Sequence, residues 1–421
     1  MLNKGKRQTV KAAMPVSVTC NGNVKKPEDV TDSRNGPRYR GRLLLFVICF
    51  LLSALFCIPL SLEAKVGGVC SNCHTMHNSQ NGQAVARGDA PWGGSGGSTA
   101  ARPRLLVSSC VGCHSSTGSS AIENFSGGKV PIVFNTGGYP SPALAGGNFY
   151  YVSLGGAAND AKGHNIFSDD VNLNAAPGPT PATSTCTTNN SCHANFHLPY
   201  TADLIDPDGL NLRNRYSCEG CHLRPKHHAN DHNHLQGGKV TTSTQGWYRF
   251  LSGHLNGLGY PNGVEGYEDG DWQYTSSSSD HNEYWGIEEN GTMGLSPTGL
   301  GHTMTGFCSG CHGIFRTQGG VNSPFTRHPA DVDIPNTAEY TNAFGAGGSG
   351  QGTYDPLIPV ARPVLPDAPD PIVYLGTDMV MCLSCHRAHG SQYYKMLRWD
   401  YKSSTLSGAL SGCNVCHTAK N

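Results

Sequence analysis

Seven pairs of cysteines, each followed at once by a histidine, constrain this chain more than any other feature. Six read Cys-x-x-Cys-His: Cys70/Cys73/His74, Cys110/Cys113/His114, Cys218/Cys221/His222, Cys308/Cys311/His312, Cys382/Cys385/His386 and Cys413/Cys416/His417. The seventh, CTTNNSCH, puts five residues between Cys186 and Cys192 and then supplies His193. The three remaining cysteines of the 17, Cys20, Cys49 and Cys57, lie in the first 64 residues, so none downstream is left over.

Cys-x-x-Cys-His is the attachment pattern of c-type haem: two thiols add to the two vinyl groups of a rigid ring, and the adjacent histidine reaches the iron as proximal ligand. A zinc ribbon or a thioredoxin-like redox pair could explain one Cys-x-x-Cys, but neither needs a histidine after every second cysteine. For Cys186/Cys192 taken alone, an ordinary disulfide is the competing reading. His193 and the absence of an unpaired cysteine favour a haem there too, which gives an expectation of seven covalently bound haem c groups.

Such a load of porphyrin changes the folding problem. With 54 glycines, 26 prolines and 37% apolar residues, and with loop-like runs such as GGSGGSTA and NAAPGPTPATST, the chain has few periodic apolar segments. A chain of this kind buries little core by itself, and covalently held haems supply the missing apolar volume. The expected fold class is a multihaem cytochrome c, mostly irregular coil with short helices and few short strands wrapped around a haem chain. Short helices are expected to carry attachment motifs, as around GTDMVMCLSCHRAHG and GALSGCNVCHTAK, and a short strand is expected in KVPIVF. Successive second cysteines are 40, 79, 29, 90, 74 and 31 residues apart, so no solenoid repeat is present.

Formal charges cancel at 30 basic and 30 acidic residues, but ten of the Lys and Arg and four of the Asp and Glu precede Lys65. That leaves 20 basic against 26 acidic residues downstream, a balance that argues against a nucleic-acid partner. The basic leader NGPRYRGR runs into an apolar segment from Leu43 to about Leu62, broken by Pro59 and followed by Ala64. Residues 1–64 therefore read as a basic leader plus signal peptide with cleavage before Lys65, and residues 65–421 as a single multihaem domain. An uncleaved membrane anchor is the alternative for the same apolar run.

Of the 19 histidines, seven are proximal, which leaves twelve for the sixth positions of seven irons. In CHTMH and CHRAH a second histidine, His77 or His389, follows three residues after the proximal one. On a helical turn the two would share one side, so each is better placed to serve a different haem than its own.

The segments VCSNCHTMHNSQNG, DHNEYWG, GFCSGCHGIF, TRHPADVDIP, TDMVMCLSCHRAHGSQYYKMLRWDY and GCNVCHTAK resemble the secreted multihaem cytochromes of metal-respiring bacteria. The likeness is closest to the extracellular cytochrome filaments, or nanowires, of the OmcS and OmcE type, over about residues 66–82 and 245–421. The resemblance implies bis-histidine irons in a continuous stack. At the position of His77, it implies a histidine that ligates a haem of the next subunit. It also implies distal roles for His164, His281, His328 and His389. His228 and His254 are added as candidates, and His197 is an eighth for seven places; Arg316 at the comparable position of CHGIFR argues against it. Seven motifs and the wide spacing at Cys186/Cys192 depart from the six-haem and four-haem relatives.

The expected function is electron transfer outside the cell or at its surface, without catalysis. The expected partners are other copies of the chain head-to-tail, other redox proteins and extracellular electron acceptors. Two rivals stand beside it. One is a monomeric periplasmic or porin-docked shuttle. The other is a multihaem reductase, which needs an open iron; the absence of Cys-x-x-Cys-Lys and the surplus of histidines argue against it.

Overall fold

Among the described residues, regular elements are only two to six residues long, because glycine, proline and turn-forming residues interrupt the apolar runs there. The computed structural model describes residues 65–418, apart from 89, 98, 102–104, 157, 165, 167–217, 219–220, 223–224, 233–235, 253–262, 289–300, 309–327 and 347–348. The leader, Cys186, Cys192, His193, His197, His254, Cys311 and His312 therefore lie outside the described residues.

After the first motif, strands β1 (Ser79–Gln80) and β2 (Gln83–Ala84) form a hairpin. Its turn, Asn81-Gly82, holds both residues at positive φ, 51° and 75°, as a tight two-residue hairpin turn requires. Asn78 braces the base: its side-chain oxygen accepts from the Val85 and Ala86 amides and its amide donates to Ala100. Helix α1 (Cys110–His114) carries the second motif and starts where the Ser109 hydroxyl accepts from the Gly112 amide. Strand β3 (Ser115–Ser116) follows, then the antiparallel hairpin β4 (Ile122–Phe125) and β5 (Gly128–Pro131). Strand β6 (Phe134–Asn135) returns parallel to β3, so KVPIVF contributes to two short strands, and helix α2 covers Tyr150–Ser153.

The Cys218/Cys221 motif closes a turn like those at Cys70 and Cys413: the Cys221 amide donates to the Cys218 carbonyl at 3.2 Å and the His222 amide donates to the same carbonyl at 2.8 Å. Both cysteines are half-buried.

Six strands distant in sequence then make one sheet. In chain order these are β7 (Gly238–Val240), β8 (Gly266–Glu268), β9 (Glu283–Trp285) and β10 (Val332–Asp333). After helix α3 (Ala338–Ala343) and strand β11 (Gln351–Thr353) come β12 (Ala361–Arg362), β13 (Ile372–Tyr374) and β14 (Met379–Val380). The sheet order is β10-β14-β12-β9-β8-β7; every pair is antiparallel except β12 with β9, and β11 pairs separately with β13. Helix α4 (Cys382–Cys385) carries a motif, and α5 (Leu406–Ala409) precedes the last one, which forms a 3₁₀ turn at Cys413–Val415.

The apolar core sits where cysteines are. Ile334, Phe344, Tyr354, Val360 and Trp399 pack with Cys416, flanked by Cys385 and Cys413. Tyr248, Val264, Tyr284, Met379 and Leu383 form a second cluster that touches Cys308. Between them the sheet buries charge: Arg362 donates to Glu283 at 2.7 Å and to Asp378 at 2.8 Å. Among the described residues no helix is long and apolar enough to cross a membrane.

Candidate haem-binding sites

Each described motif histidine but His74 is fixed through its Nδ1 by an oxygen that can only accept. The Nδ1–H of His114 donates to the Pro131 carbonyl at 2.9 Å, that of His222 to Arg249 at 2.9 Å, and that of His386 to Lys395 at 2.8 Å. His417 donates to the Glu339 carboxylate at 2.8 Å. This bond sets the tautomer and leaves Nε2 as a lone-pair donor, the arrangement expected around a metal-ligating imidazole. Burial lowers the pKa of His114, His222 and His386 against the smaller, opposing effect of those backbone bonds, so these rings are neutral and suited to iron.

Opposite these rings stand histidines from elsewhere in the chain. His74 faces His228 with ring centroids 5.8 Å apart, and His114 faces His227 at 6.3 Å. His222 faces His389 at 6.0 Å, and His417 faces His328 at 6.1 Å. His164 lies within electrostatic reach of His386 and is itself fixed by its Nδ1 on the Ala388 carbonyl at 2.6 Å. An iron about 2 Å from each nitrogen, with roughly 1.1 Å more from nitrogen to ring centre, separates two imidazole centroids by roughly 6.3 Å. Rings in direct contact come much closer: His281 lies 3.7 Å from the Tyr354 ring. The four separations would suit a haem iron held between each pair of rings.

Local structure explains how distant histidines arrive. His227 and His228 are neighbours in one turn, closed by the Ala229 amide on the Lys226 carbonyl, and they face His114 and His74 respectively. His389 reaches His222 because the chain leaves α4 at His386, in extended backbone (φ −115°, ψ 155°). It then docks on residues 146–148: His389 donates its amide to Gly146, and Asn148 donates to Gly390. A Cβ on Gly147 would collide with the Gly390 carbonyl oxygen. The helical turn expected for CHRAH is therefore absent, and cross-bridging of the backbone, rather than helix periodicity, turns His389 toward another motif. Burial, with His222 and His164 nearby, brings His389 down to about 3; burial, His114 and His228 bring His227 to about 4.

The remaining candidates fall elsewhere. His77 is exposed, at φ 51°, on the loop between the first motif and β1. His281, expected as a distal ligand, is fully buried; its Nδ1 lies 3.1 Å from Ser277 O and its Nε2 3.0 Å from the Glu283 carboxylate. Both nitrogens serve the protein because DHNEYW runs into β9 beneath Tyr354, so the structure places His281 in the sheet's polar core rather than opposite a described motif. His227 was missed by sequence reading; the adjacent pair His227-His228 was its only signal, since neighbouring residues can face two ways.

The cysteines link the sites. Cys73 lies within electrostatic reach of Cys113, the Cys308 and Cys382 thiols are hydrogen-bonded, and Cys385 lies near Cys413 and Cys416. Cys221 belongs to the Cys308 group: its thiol is among the neighbours that, with burial and the Cys382 bond, hold the Cys308 thiol well above its ordinary range. Three motifs thus bring a cysteine to one place, although Cys221 and Cys308 are far apart in the sequence. Burial pushes the thiols of Cys385 and Cys416 up to about 11 and about 12.

No protein-family model matches the chain. The chain is 26% identical over 408 residues to the C-type cytochrome OmcS of Geobacter sulfurreducens, covering 87% of each chain. Among solved structures, the Outer Membrane Cytochrome S filament of the same organism aligns at TM-score 0.39 and 18% identity, over 80% of this chain and 85% of that one. A second structure, of OmcS nanowires, aligns at TM-score 0.34 and 18% identity, over 85% and 100%.

Proposed function

We propose that this OmcS-like multihaem c-type cytochrome carries electrons outside the cell through a chain of bis-histidine haems and assembles with copies of itself. The observation that carries the reading is the set of opposed histidines at haem-spanning separation: His74/His228, His114/His227, His222/His389 and His417/His328. His164 is the proposed partner of His386. Haem supplies an iron that alternates between ferric and ferrous, one electron at a time.

The chain's own residues do the positioning. Thioether cysteines hold each ring to the backbone, and Nδ1 bonds to Pro131, Arg249, Lys395 and Glu339 orient the proximal rings and raise their basicity. The neutral imidazoles would hold the iron from both sides, which would favour outer-sphere electron transfer over substrate binding and give potentials below those of Met/His cytochromes. The proximity of Cys73 to Cys113, and of Cys308 to Cys382 and Cys221, supports neighbouring haems lying close enough to pass electrons.

Seven haems follow from the motif count, with Cys186, Cys192 and His193 supplying one and His254 and His197 as distal candidates. Export through the leader and a cell-surface or extracellular location follow from the same reading, as does head-to-tail association with His77 reaching the next subunit. The test is carbon monoxide binding to the reduced, haem-loaded protein, with intact mass for the haem count. Closed irons bind none stoichiometrically without denaturation; one equivalent bound per chain would favour a reductase. An intact mass for six haems would remove the Cys186/Cys192 attachment.

A further inference from the structure

Lys65 is only 7% exposed. Burying a lysine costs several kcal/mol unless its charge is partnered, and here two carboxylates and a carbonyl surround it. The ammonium lies 2.8 Å from Glu268, donates to the Trp247 carbonyl at 3.2 Å, and faces the Asp231 carboxylate at 3.2 Å as an ion pair rather than a formed hydrogen bond. Both carboxylate side chains are at most 1% exposed. Burial alone would raise the carboxyl of Glu268, but Arg249, His232 and Lys65 bring it down to about 2.

Three separate links tie Lys65 to the turn that carries the tandem histidines. Its backbone nitrogen, which cleavage before Lys65 would turn into the α-ammonium group, donates to the Ala229 carbonyl at 2.8 Å, immediately after His228. Its ammonium holds Asp231, three residues after His228. It also lies 4.6 Å from the centroid of the Phe250 ring, which is 5.1 Å from the His227 ring. The same hub extends to a third pair: Glu268 accepts the Arg249 amide, and the Arg249 carbonyl accepts from His222. Five residues downstream of Lys65 comes Cys70, so one anchor fixes the start of the first attachment segment and the segment that opposes it.

We infer that Lys65 is a positioning residue that seats the His227-His228 pair against His114 and His74, an inference that rests on these two histidines being distal haem ligands. A neutral side chain would fill the volume but would leave Asp231 and Glu268 as buried carboxylates without their shared cation, and the turn would lose its anchor.

The haem-loaded protein tests this through carbon monoxide equivalents bound after reduction, at a haem count fixed by intact mass. His227→Ala and His228→Ala are each expected to add one carbon monoxide-binding haem over the wild type. Lys65→Met is expected to add one to two at unchanged haem count, and Lys65→Arg to stay at the wild-type level. If neither histidine variant binds more than the wild type, the ligand reading fails and takes the inference with it. If both do and Lys65→Met behaves as wild type, the ligand reading stands and the role of Lys65 is overturned. Should Lys65→Met fail to accumulate, Asp231→Asn and Glu268→Gln carry the same expectation from the acidic side of the clamp, and wild-type behaviour of both overturns it.

Discussion

Replacing His281 separates two roles that a histidine can have in this chain. Its ring is fully buried, packed on Tyr354 and bonded to Glu283, so His281→Ala is expected to cost about 2–4 kcal/mol by leaving a cavity and removing one hydrogen-bond partner of the Glu283 carboxylate. It is expected to expose no new iron, which chemical denaturation and carbon monoxide titration together would check. Acid stability reads out another single residue. Glu268 titrates at about 2 in the folded chain against an ordinary 4.5, so its contribution is complete above pH 4.5 and is lost as pH falls toward 2. Glu268→Gln is expected to flatten that part of the stability profile by an amount on the order of 3 kcal/mol. At this scale the Cys-x-x-Cys-His motifs are legible because their spacing is local. The opposition of His227 to His114 is not, because the two lie far apart along the chain.

The bridge between residues 146–148 and 389–390 is the element that delivers His389. Gly147 sits at φ 80° with no room for a Cβ beside Gly390. Gly147→Ala therefore combines left-handed strain of about 1–2 kcal/mol with a backbone collision. It is expected to lower the thermal midpoint and to open the haem of His222, seen as one added carbon monoxide equivalent. Short helices were expected around the motifs, and the structure makes them shorter still, down to the turn at Cys221. The Cys382–Cys385 helix ends at His386 because residues 386–390 form bridges to Leu397, Gly147 and Gly163 of the same chain instead of a further helical turn. Periodicity in three to five residues carries too little information to predict that.

On the scale of the molecule, the first motif carries an exposed apolar rim. Val69, Met76, Leu105 and Leu106 are exposed beside His77, with Met76 at 71%. A rim of this kind next to a haem suits association with another copy. Met76→Glu and His77→Ala are each expected to reduce filament formation in negative-stain micrographs of the mature protein, with haem count unchanged. A wild-type preparation that stays monomeric at high concentration would remove the assembly reading. By itself the sequence determined a coil-rich fold, since glycine and proline content acts through near neighbours in the chain, and it supplied the Cys-x-x-Cys-His motifs from which the proposed haem sites are read. Only the tertiary structure decided which histidine opposes which. It alone put His281 into the ionic core of the sheet and buried Lys65 against Asp231 and Glu268. Those placements depend on contacts between segments far apart in sequence, which no spacing along the chain encodes.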